Sequence, residues 1–534
     1  METKQITLTI DGKPVTVPEG TTVLQACEKA ASPVPFYCYH PGLSIAGNCR
    51  ICLVEIAGMP KLQISCYTRA ADGMVVNTTS DKTLQGRKDV LEFLLINHPL
   101  DCPVCDQAGE CWLQDYYMQH GLYDPKFNET KNKKPKAVPV GPTVMLDAER
   151  CILCSRCVRF TDEITKTGEF GIFNRGDHSE IGVHPGKELA NNYSGNVVDI
   201  CPVGALTDRD FRFKCRVWYL GMTNSVCTGC SRGCNIQIHY NREREWRPHI
   251  ANGERVMRLK PRYNADVNQW WMCDVGRYGY KSIDENRVPQ VQLRADGSLQ
   301  TADWERGLRQ VADALNGLKA SKSLNQVGVI LSSYQSNENL YAAKRFFQAL
   351  GVTQVVFQRP KSGASDHLLL QADRSPNAKG AQALGLAEGA EGLLDRAIKK
   401  ELKALFVFHQ DLTDLFGAKV QQAAKQLELL VFQGPNANPT SALAHVVLPS
   451  AVHAEQDGTF TNFQGRVQRA QAALLPWGEA KPDWQIFTEL SAALQLGLSF
   501  TDAPSIFAEL AKQEKPFHGM TYEAVGDQGA LLKG

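Results

Sequence analysis

Fifteen of the chain's 17 cysteines fall into four spaced groups, and one histidine stands where a sixteenth ligand is needed. Thiolates and neutral imidazoles bind soft and borderline metals, so the pattern points to metal chemistry. Cys38, Cys49, Cys52 and Cys66 form C-x10-C-x2-C-x13-C, the four thiolates that a [2Fe–2S] cluster takes at two per iron. Gly42 and Gly47 in that loop are expected to fold the backbone around the cluster and aim N–H groups at the sulfurs. His98, Cys102, Cys105 and Cys111 follow as H-x3-C-x2-C-x5-C. Three thiolates leave one iron of a [4Fe–4S] cubane without a protein ligand, and a neutral imidazole can fill that place and raise the reduction potential. The alternative for His98 is a helix-terminal histidine beside Pro99. Cys151, Cys154 and Cys157, closed by Cys201 before Pro202, form the C-x2-C-x2-C…C-P signature of a [4Fe–4S] cluster. Cys227, Cys230, Cys234 and Cys273 form C-x2-C-x3-C with a distant fourth cysteine, again suited to a [4Fe–4S] cluster. A four-cysteine zinc site is the alternative for the first, third and fourth groups, most seriously for the last.

Two cysteines are left over. Cys27 falls on an apolar helical pattern and reads as core, and Cys215 sits in the basic–aromatic stretch FRFKCRVWY and reads as structural. An odd cysteine count, clustering before Cys273 and an N-terminus without an apolar signal core argue against a disulfide scaffold. A reducing compartment such as the cytoplasm is the expectation. Lys+Arg is 58 and Asp+Glu is 57, so charge gives no reason to expect nucleic acid or an anionic membrane surface. The longest apolar runs, such as VLEFLLI at Val90–Ile96, are too short to span a bilayer.

The elements that must position these ligands are partly legible. Ile6, Leu8 and Ile10 alternate, Asp11-Gly12 supplies a turn, and Val15 and Val17 alternate after it, which predicts a hairpin. Thr21 or Thr22 is placed to N-cap a helix over 23–31, ended by Pro33 and Pro35. Hairpin, helix and cysteine-bearing loop together are compatible with a β-grasp ferredoxin module. Residues 81–120 read as helical with a break at His98-Pro99. Lys131–Lys136 (KNKKPK) reads as a solvated connection. Beyond about residue 281, the short apolar runs 327–332, 354–358, 404–409 and 427–432 alternate with helical patterns at 337–350 and 415–426. That alternation argues for a parallel α/β sheet covered on both faces.

The order of the four motifs resembles the G subunit of NADH:quinone oxidoreductase, respiratory complex I. The phrases FYCYHPGLSIAGNCRICLVE, HPLDCPVCDQAGECWLQD, LDAERCILCSRCVRF and GNVVDICPVGALT carry the resemblance over about residues 1–280. The stretch VLPSAVHAEQDGTFTNFQGRVQ (Val447–Gln468) carries it into the C-terminal half. The resemblance implies that all sixteen ligands carry over, holding one [2Fe–2S] and three [4Fe–4S] clusters. It implies α+β ferredoxin-like modules followed by an α/β parallel-sheet domain, divided as a β-grasp [2Fe–2S] domain at 1–80, a one-His/three-Cys [4Fe–4S] domain at 81–140, a [4Fe–4S] ferredoxin-like domain at 141–218, a molybdopterin-oxidoreductase-type [4Fe–4S] domain at 219–280, and a reduced molybdopterin-oxidoreductase-like domain without molybdenum cofactor at 281–534. This C-terminal domain is shorter, and the Cys234–Cys273 gap longer, than the family's usual pattern.

The function implied is an electron relay from a flavin subunit toward quinone, with no catalytic site of its own. The chain would be cytoplasmic, on the cytoplasmic face of the inner membrane through its partners, a flavin/NADH-binding subunit and quinone-side iron–sulfur subunits. An alternative is a relay subunit of a soluble NAD-linked hydrogenase or formate dehydrogenase. A self-sufficient iron-only hydrogenase needs further cysteines in the C-terminal half, and a molybdenum enzyme needs a larger domain. No G-x-G-x-x-G lies between a strand and a helix, so NADH is expected to bind elsewhere. The glycine-containing stretch Gly385–Gly392 reads as polar loop or helix.

Overall fold

Asp11 (φ 48°) and Gly12 (φ 79°) both adopt left-handed backbone, and this two-residue turn folds Gln5–Ile10 onto Lys13–Pro18. The computed structural model describes residues 4–121, 124, 126–242 and 254–533. They form two compact units, Met1–Tyr219 and Leu220–Gly534.

In the first unit the hairpin joins a five-stranded sheet ordered Lys13–Pro18, Gln5–Ile10, Val75–Asn77, Leu53–Ile56, Gln63–Ile64. The inward positions Ile6, Leu8, Ile10, Val15 and Val17 pack on Val23, Leu24, Ala26 and Cys27 of the helix Val23–Lys29. Thr22 caps that helix: Gln25 N–H donates to Thr22 Oγ1 (3.3 Å) and Thr22 N–H donates to Gln25 Oε1 (3.0 Å). Cys27 is a core residue, as its helical placement predicted.

The helical region after residue 80 is broken more widely than Pro99 alone requires. Helix Asp81–Leu95 ends before His98, and helix Trp112–His120 begins only after Cys111. Between them lies a cysteine-bearing loop with one 3₁₀ turn at Cys102–Val104. The reading of Lys131–Lys136 as a solvated connection is corrected by its partners. Lys131 Nζ donates to the carbonyls of Leu95 (2.9 Å) and Ile96 (2.6 Å) and so caps the helix that leads to His98. Lys136 pairs with Asp101 and Glu149, at 2.5 and 2.8 Å. These lysines clamp the loop of the second ligand group.

The second unit opens with an antiparallel meander, Leu220–Val226, Asn235–Asn241 and Val256–Pro261. Its main sheet has eight strands, ordered Ser298–Ala302, Val291–Ala295, Val446–Pro449, Leu429–Gly434, Ala404–Phe408, Val327–Ser332, Val355–Gln358, Ala387–Glu388. The run from Val446–Pro449 to Ala387–Glu388 is parallel, and an antiparallel hairpin closes the other edge. The apolar runs are continuous because both faces are covered. Val327, Val329, Phe406, Phe408 and Val431 face one core, while Ile330, Leu405, Val407, Leu430 and Phe432 face the other. The helix Asn337–Leu350 forms as its periodicity predicts, but 415–426 is split into Leu412–Phe416 and Ala418–Ala424 at Gly417 (φ 53°). Among the described residues no helix is long and apolar enough to cross a membrane.

Candidate metal centres

The first four cysteines lie on the loop between the helix Val23–Lys29 and the strand Leu53–Ile56, with Cys66 returning just after Gln63–Ile64. Left-handed backbone at Gly47 (φ 62°) and Arg50 (φ 62°) turns the chain on either side of Cys49. The sulfurs form a connected set: Cys38 hydrogen-bonds with Cys49 and Cys66, and Cys66 with Cys52. The thiols titrate as one set: hydrogen bonds from Cys49 and then Cys66 hold the Cys38 thiol down, and the same contacts push Cys49 and Cys66 up. The N–H groups aimed at these sulfurs are those of Asn48 and Cys49 toward Cys38, of Cys38 (3.4 Å) and Ile51 toward Cys49, and of Cys66 toward Cys52. The expectation for Gly42 is corrected here: its N–H donates to His40 Nδ1 (3.1 Å), because the His40-Pro41 turn places that acceptor two residues back.

His98, Cys102, Cys105 and Cys111 line one cavity of about 630 Å³. His98 Nδ1 is buried without a hydrogen-bond partner, which suits a nitrogen reserved for a metal. Burial, reinforced by the nearby Arg150 and Lys131, pulls the His98 pKa down to about 4, so the imidazole is neutral and able to ligate at pH 7. Cys111 caps the helix Trp112–His120 and receives the N–H of Leu113. Arg216 donates to the carbonyls of Cys105 and Pro103, both at 2.6 Å, so the stretch around Cys215 wraps this loop. Gly204 touches it from the other side: a Cβ there would stand 2.2 Å from Cys105 Sγ. No cysteine spacing points to Gly204; only its place just after Cys201-Pro202 hints at it.

Cys151, Cys154, Cys157 and Cys201 line a small cavity of about 20 Å³ walled by Leu146, Ile152, Ile181, Val203, Ala205 and Leu206. The tight triplet is made possible by left-handed backbone at Leu153 (φ 54°) and Ser155 (φ 59°). Leu153 N–H points at Cys151 Sγ (3.3 Å). The helix Asn196–Ile200 delivers Cys201, whose sulfur receives N–H groups from Val203, Leu206 and Ala205. Burial pushes the Cys151 thiol up to about 12 and Cys201 up to about 11.

The first three groups meet in one apolar cluster, which holds Cys38, Cys49, Cys111, Cys151, Cys154 and Cys201 with Tyr37, Ile51, Trp112 and Ile152. Hydrogen bonds to backbone carbonyls link the third group to each of the other two. Arg159 donates to the carbonyls of both Cys38 (2.5 Å) and Cys154 (3.3 Å), and Trp112 N–H donates to Pro202 O (3.1 Å).

In the second unit Cys227, Cys230, Cys234 and Cys273 line a small cavity of about 10 Å³ with Met272, Leu369, Leu370 and Arg374. The triplet occupies the hairpin loop between Leu220–Val226 and Asn235–Asn241, where Cys227 N–H donates to Cys234 O (2.9 Å). Cys273 caps the short helix Asp274–Tyr278 and accepts from Gly276 N–H (3.3 Å). The long gap after Cys234 is taken up by the meander, so Cys273 does join the other three. The Val447–Gln468 stretch buttresses this loop: Phe463 N–H donates to Ser231 O (2.9 Å), and Gln468 Nε2 donates to Gly233 O (2.9 Å). Among the described residues no three His, Cys, Asp or Glu side chains converge on a single metal ion; in the second, third and fourth groups the donors face a shared cavity.

A separate crevice of about 480 Å³ opens at the carboxyl ends of the parallel strands, where Tyr334, Gln335, Ser336, His409 and Asn436 line it beside Cys227.

Family profiles match in the order of these groups. Residues 3–81 match a 2Fe-2S iron-sulfur cluster binding domain, 87–126 the NADH-ubiquinone oxidoreductase-G iron-sulfur binding region, and 141–207 the ferredoxin-like domain of NADH-quinone oxidoreductase subunit 3. Residues 221–285 match the molybdopterin oxidoreductase Fe4S4 domain, and 280–379 with 368–493 match molybdopterin oxidoreductase. The G subunit of NADH-quinone oxidoreductase from Rickettsia bellii is 31% identical over 95% of this chain and 89% of its own length. The mitochondrial NADH-ubiquinone oxidoreductase 78 kDa subunit of Neurospora crassa is 29% identical over 94% of this chain and 82% of its own length. A solved chain of an NAD+-reducing [NiFe]-hydrogenase in the H2-reduced state is 31% identical, covers 40% of this chain and 91% of its own, and superposes with a TM-score of 0.37. The chain belongs to the G-subunit family of NADH-quinone oxidoreductase.

Proposed function

We propose that the chain is an electron relay in which the sixteen ligands named above hold one [2Fe–2S] and three [4Fe–4S] clusters, and that electrons cross the first unit in the order first, third, second centre. Such clusters, when bound, accept and pass on single electrons. The chain's residues supply spacing, burial and hydrogen bonds to the sulfurs. The observation that carries the order is that the third group is tied to both others, through Arg159 on the carbonyls of Cys38 and Cys154 and through Trp112 N–H on Pro202 O. An electron entering beside Cys38 would leave beside Cys102, the exposed ligand. Leu100, Val104 and Met118 are exposed around Cys102 at 93%, 61% and 64%, and they form the proposed seat of a quinone-side iron–sulfur subunit.

The flavin and NADH belong on a partner subunit facing the first centre, and the chain sits on the cytoplasmic face of the inner membrane through its partners. The five-domain division at 80, 140, 218 and 280 describes the modules of this relay. The C-terminal domain is a scaffold: its crevice presents no thiolate except Cys227, which faces the fourth group, so the donor set does not fit a thiolate-bound molybdenum.

Anaerobic purification of the full chain should yield about fourteen irons, from one two-iron and three four-iron clusters. Stoichiometric zinc with little iron would overturn the reading. Incubation of the isolated chain with NADH should leave its visible absorption unbleached, whereas rapid reduction would place a nucleotide site on this chain.

A further inference from the structure

Arg156 is only 2% exposed. Its guanidinium donates to Ile200 O (2.9 Å), next to Cys201 of the third centre, and to Tyr39 O, next to Cys38 of the first. The same group stacks over Trp112 at 4.8 Å, next to Cys111 of the second. Its Nε has no hydrogen-bond partner. Arg159, one helical turn away, donates to Cys38 O, Cys154 O and Ser44 O. Every acceptor of these donors is neutral: five backbone carbonyls and, for Arg159 Nε, the hydroxyl of Ser155. Among the described residues neither guanidinium ion-pairs with a carboxylate, although Glu163 accepts from Ser44 N–H (2.8 Å) beside Arg159.

A guanidinium keeps its charge in a protein. A buried cation without an anionic partner is strongly disfavoured. The cysteine groups on either side are the anionic sites that act on Arg156, through Cys154, Cys201 and Cys38. We infer that Arg156 and Arg159 are a counter-charge shared by the first and third centres, and that they set the reduction potentials of both. The inference rests on the relay reading above. A fixed cation near a centre favours its reduced, more negative form and raises its potential, most strongly where the surroundings are apolar. One arginine pair placed between two centres raises both together. It thereby shifts both while leaving the step between them nearly unchanged, which a separate cation at each centre would not ensure.

The test is an EPR-monitored redox titration of the assembled complex carrying Arg156→Gln, Arg156→Lys or Arg159→Gln. Arg156→Gln should shift the reduction equilibria of the first and third centres at least tenfold toward the oxidised form, a fall of ~59 mV for a one-electron couple. The fourth centre should stay at its wild-type value, and Arg156→Lys should recover most of the shift because it keeps the charge while losing the fork. Arg159→Gln, at a half-buried site, should move the same two centres in the same direction by less, and it carries the test where Arg156→Gln fails to retain iron. Unmoved potentials in Arg159→Gln with all signals present, or equal shifts in the Gln and Lys variants of Arg156, would overturn the proposal. A wild-type complex without these iron signals would instead sink the relay reading.

Discussion

Gly204→Ala should empty the second centre and leave the other three loaded. The added Cβ would lie 2.2 Å from Cys105 Sγ, 3.1 Å from Gln107 Cβ and 3.7 Å from Arg150 Cδ. Non-bonded heavy atoms settle at roughly 3.5–4.0 Å, so the sulfur or residue 204 must retreat by more than about 1 Å. Metal–ligand distances tolerate only about 0.2 Å. A free thiol could rotate away, but a ligating sulfur has to stay at its corner. Backbone retreat is also resisted, because Cys105 O is held by Arg216 at 2.6 Å and Cys105 N–H by Cys102 O at 3.3 Å. Overpacking of this kind costs about 1–3 kcal/mol in a core that can adjust; here the cheaper outcome is loss of the ligand. The assay is iron content with EPR of the reduced protein. Iron should fall from about fourteen to about ten per chain, with one [4Fe–4S] signal missing. Full iron and an unchanged spectrum would refute the reasoning, because they would mean that Cys105 holds no metal where its sulfur stands.

His98→Cys should keep four irons in the second centre but lower its potential, because a thiolate adds a negative charge where a neutral imidazole stood; a potential that rises or stays fixed would count against His98 as a ligand. Cluster loading should release protons. At pH 8 the third group's thiols are held protonated by burial, with Cys151 at about 12, Cys201 at about 11, and Cys154 and Cys157 also raised. Loading that group should therefore release about four protons, and lower pH should oppose it; His98, already neutral at pH 7, should release none. Chelation of iron should raise hydrogen exchange first in residues 96–111 and 151–203, and least in the eight-stranded sheet, as read by mass spectrometry; uniform loosening of both units would contradict this.

What depends on short-range chemistry was legible in the sequence. A cap at Thr21 or Thr22, which the structure places at Thr22, the Asp11-Gly12 turn and the doubly buried strands around Ile330 and Phe406 follow from capping, turn geometry and hydrophobic pattern. Each cysteine triplet could be read as one site because it sits on one short stretch of chain, apart from the spread first group. What stayed hidden depends on partners distant in the chain. Lys131 and Lys136 read as a solvated run, since nothing local shows that Leu95, Ile96, Asp101 and Glu149 wait for them. The carbonyls of Leu95 and Ile96 lie 35 residues or more from Lys131 along the chain. Gly204 and Gly276 look like ordinary loop glycines until a Cβ is set against Cys105 or Cys227, where it would stand 2.2 or 2.9 Å from the sulfur. Arg156 reads as one more charge in a cysteine motif, and only packing reveals that Tyr39, Ile200 and Trp112 surround it.

The hidden part also bears on the proposed order of the centres, first, third, second. A triplet on a short loop can hold three corners of a cluster, but the fourth ligand must arrive on another element, because the loop cannot also close over the far side. In the third group that element is the helix Asn196–Ile200 and the turn after it. Pro202 of this turn accepts from Trp112 N–H, and Gly204 packs on Cys105, so the segment that closes the third centre is also the floor of the second. The triplet's own helix, Arg156–Arg159, reaches the other way to Tyr39 and Cys38. Each centre is thus built from the same backbone that spaces it from its neighbour. A substitution that loosens one ligand loop is therefore expected to change a distance between centres as well as a coordination sphere.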